Sequence, residues 1–219
     1  MKFNQTFKNL YLKKPAILIE FLLFISLPIL LRFQLHSLLY FRHILFIIGI
    51  IYVFSIGKIF RFNSLKKYGI TKKNFLISCK KLIPSTIFWT TVTIILGYLN
   101  INNLAISELT KSVISYPVWG NFLLYTTLSV PIQEIIFRGF LTNRIKLVTN
   151  NEIFIVLYVS LAFGLSHLMF ANIYFTILTT LISFSWTRNY YKFNNLLSII
   201  LFHNIMGSIT LYINFFLIP

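Results

Sequence analysis

Four residues in the second half of this sequence place a charged or titratable side chain inside an otherwise apolar stretch: Glu134, Arg138, His167 and His203. Glu134 and Arg138 are four positions apart, which on a helix stacks them on one face, about 5–6 Å from each other, so that their charges can neutralise. A carboxylate beside an imidazole can hold a water and take its proton. Two imidazoles and a carboxylate can alternatively bind zinc with one position left open. Either arrangement leads to hydrolysis. The plainer reading is an internal ion pair at Glu134 and Arg138, with each histidine bonded to a neighbouring helix. A shared cavity accounts better for all four, because an ionisable group inside a membrane span costs at least about 2.5–3.5 kcal/mol and these four stand on three different segments.

The elements that must carry them are set by composition. Of 219 residues, 57% are hydrophobic, and the mean hydropathy is +0.79. That is too apolar for a water-solvated domain. Apolar stretches of spanning length fall at roughly 15–31, 44–60, 82–99, 118–141, 153–170, 173–186 and 196–217. The fold class expected is therefore all-α, a polytopic transmembrane bundle of about seven helices, with six to eight as the range. The sixth segment is short, and Tyr174, Trp186, Tyr190 and Tyr191 suggest a place at the interface or a re-entrant path. Continuation of the fourth helix through Thr142 to Val148 would set Glu134 deeper, closer to the level of His167.

The formal charge is +16, from 20 Lys and Arg against 4 acidic residues, all of them Glu. The basic residues cluster from Lys2 to Lys14 and from Arg61 to Lys81, between apolar runs, where lipid headgroups rather than nucleic acid meet them. A cytoplasmic N-terminus puts these clusters inside, with Arg144, Lys146, Arg188 and Lys192, and leaves only Arg32, Arg42 and Lys111 outside. The first apolar run lacks a small-residue cleavage pattern and reads as a retained anchor. Cys79, the single cysteine, falls in the basic 61–81 loop and offers neither a disulfide nor a thiolate metal site. Glu20 stands alone in the first span. The expected setting is a multi-pass protein of a bacterial cytoplasmic membrane, with lipids as its surroundings.

Three strings resemble the hallmarks of the CAAX protease and bacteriocin-processing enzymes, the CPBP or Abi family of intramembrane endopeptidases. They are Gln133-Glu134-Ile135-Ile136-Phe137-Arg138-Gly139, the run from Phe163 through Gly164 to His167, and the run from His203 through Asn204 to Gly207. The family pattern is E-E-x-x-x-R, F-x-x-x-H and H-x-x-x-N or H-x-x-x-D, each on its own helix. The resemblance implies cleavage of a peptide bond in a membrane-associated or lipidated substrate, with Glu134, His167 and His203 as catalytic residues and Gln133, Arg138, Phe163 and Asn204 in support. In that scheme a motif carboxylate and His167 activate water, and His203 with its partner stabilises the oxyanion. It leaves the cofactor as none or a divalent metal such as zinc, held if at all by His167, His203 and Glu134. It also implies a division into N-terminal helices, 1–117, and a protease core, 118–217. Gly139 and Gly164 offer the small surfaces that close helix packing needs.

Two positions depart from the pattern. Gln133 replaces the first Glu, and an amide cannot accept a proton. Gly207 replaces the terminal Asn or Asp and removes a side-chain hydrogen bond beside His203. Consecutive helical residues point about 100° apart, so Glu134 can stand in for position 133 only if the helix is rotated. Without that rotation the expected alternative is a non-catalytic membrane scaffold or a bacteriocin self-immunity protein.

Overall fold

A computed structural model describes residues 14–33, 42–60, 64–98, 118–170 and 172–212. The expected cytoplasmic cluster at Lys2, Lys8 and Lys13, and Arg61 and Lys111, lie outside the described residues. Those residues form seven helices and no strand. α1 is Lys14–Phe33, α2 is Arg42–Ile59 and α3 is Phe75–Tyr98. α4 runs without a break from Val118 to Lys146. α5 is Glu152–Ser166, prolonged by a 3₁₀ turn at His167–Phe170, α6 is Ile173–Phe193 and α7 is Leu196–Tyr212.

Local chemistry fixes the helix ends. The side chains of Asn151 and Asn172 accept the backbone N–H of Phe154 and Phe175 at 3.0 and 2.9 Å, capping α5 and α6. Asn194 closes α6 in the left-handed conformation, at φ 46°. Gly69, at φ 80°, lets the 64–74 segment turn against that corner, and its carbonyl accepts the Leu196 N–H at 2.8 Å. Further bonds run from Asn195 Nδ2 to the Thr71 and Lys73 carbonyls and from Asn194 Nδ2 to that of Lys66. The basic 64–74 segment and the α6–α7 corner thus form one end of the bundle.

α4 is not a regular helix. It contains π segments at Tyr125–Ser129 and Ile135–Leu141, on either side of an α-helical turn, Val130–Glu134. Pro131 supplies a cause for the first. It has no N–H to donate, and its ring would clash with the carbonyl four residues back, so the helix widens ahead of it.

Two apolar cores flank the middle of α4. One joins Val53 and Ile56 of α2, Tyr68, Phe137, Phe140 and Phe163. The other joins Leu82 of α3 with Trp186, Tyr190, Ile199 and Phe202. Ile135 packs against both. A buried polar clamp ties the second core together: Ser78 Oγ bonds Asn189 Oδ1 and Ser198 Oγ across α3, α6 and α7.

Several sequence expectations change here. α3 begins at Phe75, so Cys79, Lys80 and Lys81 are helical rather than part of a loop. The sixth segment continues past 186 to Phe193, because Ser183, Thr187 and Asn189 are buried among neighbouring helices rather than turned out. Trp186 and Tyr190 are core residues, 2% and 0% exposed, whereas Tyr174 is 60% exposed. Arg144 is fully buried, rather than exposed as a basic flank residue would be. Its Nε donates to Glu20 Oε2 at 2.8 Å, and Tyr52 donates to Glu20 Oε1 at 2.6 Å, which gives Glu20 a reason to be in α1.

Among the described residues, one helical segment, Glu152–Phe170, is both long and apolar enough to cross a membrane, and Pro15–Ser26, Ile48–Ile59 and Leu196–Tyr212 are shorter apolar stretches. Large apolar side chains point outward from several helices, among them Leu22, Leu76, Ile87, Leu123 and Ile153.

Gly164 does what its size suggested. A Cβ there would lie 1.7 Å from Thr180 Oγ1 and 2.9 Å from Thr180 Cα, so α5 and α6 touch at backbone distance. Gly139 instead receives the ring of Tyr68 from the 64–74 segment, 2.6 Å from where a Cβ would be. Gly164→Ala is expected to cost about 1–3 kcal/mol by forcing the two helices apart. Unfolding of the purified variant in detergent measures that cost.

Candidate active site

The four residues singled out by type and spacing come together where the two cores meet. Glu134 and Arg138 are fully buried, and Arg138 Nη1 donates to Glu134 Oε1 at 2.9 Å. Arg138 Nη2 donates to Ser183 Oγ of α6 at 2.8 Å, and the guanidinium lies 4.0 Å from the centroid of the Phe163 ring. One cation is thereby held by α4, α5 and α6, in the way that makes a buried guanidinium tolerable.

His203 Nδ1 lies 2.6 Å from Glu134 Oε1. With a carboxylate as acceptor, Nδ1 carries the hydrogen, and Nε2 is directed elsewhere. Glu134 Oε1 thus receives both Arg138 and His203, while Oε2 is buried with no hydrogen-bond partner among the described residues. A buried carboxylate oxygen without a donor is costly, so Oε2 is the atom here most in need of a water or a substrate N–H.

His167 enters by a different route. Its Nδ1 bonds the Phe163 carbonyl, four residues earlier, at 2.7 Å, which folds the ring back along α5 and leaves Nε2 as the unprotonated nitrogen. The Phe163 ring stands between the two imidazoles, with centroids 4.7 Å from His167 and 5.8 Å from His203. Trp186 covers another side of His203 at 4.9 Å. α4 does continue to Lys146, twelve residues or about 18 Å beyond Glu134.

Glu134 Oε1 and His203 Nδ1 are bonded to each other, and His167 Nδ1 is bonded to a carbonyl. Among the described residues no group of three or more His, Cys, Asp or Glu side chains is placed to hold an ion.

The supporting positions divide. Gln133 donates from Nε2 to Ser129 Oγ on its own helix at 2.9 Å and joins none of the buried charges. Asn204 Nδ2 donates to the Thr126 carbonyl at 3.2 Å, pinning α7 to the first π segment. At Gly207, one turn beyond His203, a Cβ would lie 1.8 Å from Tyr125 Oη. The space left by the missing side chain is filled by a tyrosine from α4, whose ring stands edge-on to His203 with centroids 6.2 Å apart.

The π segment is what brings that tyrosine round. Tyr125 and Glu134 are nine residues apart, which on a regular α-helix puts them about 180° apart; one extra residue accommodated in a π turn removes about 100° of that. Both consequently address His203.

Residues 115–209 match the family model described as Rce1-like, type II CAAX prenyl endopeptidase. The match includes all three motif strings and less than half of the chain. No curated protein and no solved structure matches. The Rce1-like region thus starts just ahead of α4 and ends within α7, and it contains every residue of the Glu134–His203 cluster. Rce1-like proteins are membrane-embedded peptidases, which suits the outward apolar side chains and the buried polar centre.

Tyr125 and Ser183 were not singled out in the sequence, and Trp186 and Arg144 were read there only as an interfacial aromatic and a cytoplasmic basic residue. Tyr125 is hidden by the π turn, which breaks the register that sequence spacing relies on. Ser183 is one hydroxyl among many in an apolar segment. Arg144 belongs to a basic run that resembles a cytoplasmic flank.

Proposed function

We propose that the chain is a multi-pass peptidase of the CAAX-protease/Abi type, embedded in a bacterial cytoplasmic membrane with its N-terminus inside. It cleaves a peptide bond in a membrane-associated or lipidated substrate by activating water, with residues 118–217 as the catalytic unit. The observation that carries this reading is the Arg138–Glu134–His203 hydrogen-bonded line, with Glu134 Oε2 unpartnered and His167 across the Phe163 ring.

In this scheme a water sits between Glu134 Oε2 and His167 Nε2. Glu134 takes its proton as the water oxygen bonds to the scissile carbonyl carbon. His203, oriented through Nδ1 by Glu134, stands on the side of the oxyanion. Collapse breaks the C–N bond, and the proton passes from Glu134 to the departing amine. Arg138 does not touch the substrate. It keeps Glu134 oriented, and Ser183 and Phe163 keep Arg138 in place.

The fixed position of Gln133, bonded to Ser129, favours a second reading: a non-catalytic family member acting as a scaffold or in bacteriocin self-immunity. Membrane peptidomes of cells carrying wild type, Glu134→Ala, His167→Ala and Gln133→Glu separate the two. The peptidase reading requires a processed product that both alanine variants lose. Absence of any dependent product, together with one created by Gln133→Glu, establishes the second.

A further inference from the structure

We propose that Tyr125 is a catalytic residue whose hydroxyl stabilises the oxyanion, in the place where the motif calls for a side chain at position 207. The inference rests on the peptidase reading above and adds a residue that no motif contains.

Gly207 lies one helical turn after His203, on the same face of α7. A Cβ at Gly207 would meet Tyr125 Oη at 1.8 Å and Cζ at 2.5 Å. An asparagine or aspartate there and the Tyr125 hydroxyl therefore exclude each other: the phenol tip occupies the space in which that polar side chain would begin. The substitution that removes one hydrogen-bonding group from α7 is matched by the arrival of another from α4.

Orientation supports the same role. The Tyr125 ring is edge-on to the His203 imidazole, at an interplanar angle of 78°. The hydroxyl is thus beside the histidine expected to face the oxyanion. Among the described residues Tyr125 Oη makes no hydrogen bond, so its hydrogen is available to a ligand. A tyrosine hydroxyl is a good oxyanion donor because it is neutral in the resting enzyme and gives a short, charge-assisted bond once negative charge develops. Its position is enforced from both sides. The π segment Tyr125–Ser129 turns it toward Glu134 and His203, and Asn204 clamps the neighbouring Thr126 carbonyl to α7.

The test uses full-length protein in proteoliposomes. Cleavage is read on an internally quenched peptide with a farnesylated C-A-A-X terminus, and in parallel on the membrane peptidome. Tyr125→Phe keeps the ring that fills the Gly207 notch and removes only the donor. Its kcat is expected to fall by about 10²–10³-fold, as for loss of one oxyanion-hole donor, with KM and the unfolding midpoint unchanged. The double variant Tyr125→Ala with Gly207→Asn is expected to regain at least about tenfold over Tyr125→Ala alone, because it restores a polar side chain to the vacated space. Tyr125→Phe with wild-type kcat, alongside an inactive Glu134→Gln, overturns the Tyr125 role and leaves the peptidase reading intact. A rise in KM or a loss of stability equal to the loss of activity also overturns it, as a packing role would give. Absence of Glu134-dependent cleavage in both assays overturns the peptidase reading and this inference together.

Discussion

Glu134→Gln is expected to lower peptide cleavage by about 10²–10⁴-fold while the protein stays folded, the range ascribed to a positioned general base. The amide oxygen can still accept from Arg138 Nη1 and His203 Nδ1, so both contacts to Oε1 survive. The amide nitrogen replaces Oε2, the oxygen with no partner, and a donor there can neither accept a proton nor hold water in the same sense. Both variants take the counter-ion from the fully buried guanidinium, but Glu134→Ala also removes its hydrogen-bond acceptor and is expected to cost more, about 3–5 kcal/mol. The pair of variants therefore separates chemistry from folding. Equal activity loss with unequal stability loss, read from cleavage and detergent unfolding on the same preparations, is the expected pattern. If Glu134→Gln retains wild-type cleavage, Glu134 is not the base.

The second large effect is on stability. Arg144 and Glu20, 0% and 3% exposed, join α4 to α1, and Tyr52 of α2 shares the Glu20 carboxylate. Removing one partner takes the counter-charge from the other in an apolar setting, where Phe60 packs against the guanidinium. Glu20→Ala and Arg144→Met are each expected to cost about 3–5 kcal/mol. The double variant is expected to cost clearly less than their sum, because both charges are then gone. Unfolding in bicelles measures all three. Strict additivity would mean that the pair is not coupled. This ion pair lies apart from the Glu134 cluster, so the residual folded fraction of each variant is expected to keep the specific activity of wild type.

Much of the site was legible because its logic is local. Four-residue spacing on one helix was enough to pair Glu134 with Arg138, and an imidazole amid apolar residues is costly enough to mark His167 and His203. The pairing of His203 with Glu134 was not legible, since it depends on how α7 packs against α4. Nor was Tyr125: spacing arguments assume a constant 100° per residue, and Pro131 is preceded by a π turn that changes the phase. The rotation that position 134 needed to replace position 133 was visible as a requirement, and the π segments on both sides of Glu134 are a means of meeting it. Arg144 misled for a related reason. It looks like part of a basic flank, and only the continuation of α4 to Lys146 brings it to Glu20. The sixth segment looked short because hydroxyl and amide side chains dilute its hydropathy, although Thr179, Thr180 and Ser185 bond carbonyls of their own helix and Ser183 and Asn189 bond neighbouring helices.

The most direct test of the central claim is isotopic. Membranes carrying the wild type or Glu134→Gln are incubated in ¹⁸O-water, and the new peptide C-termini are read by mass spectrometry. The account predicts products with one ¹⁸O in the new carboxylate, present with wild type and depleted by about 10²-fold or more with Glu134→Gln. Identical product sets from the two membranes would contradict it.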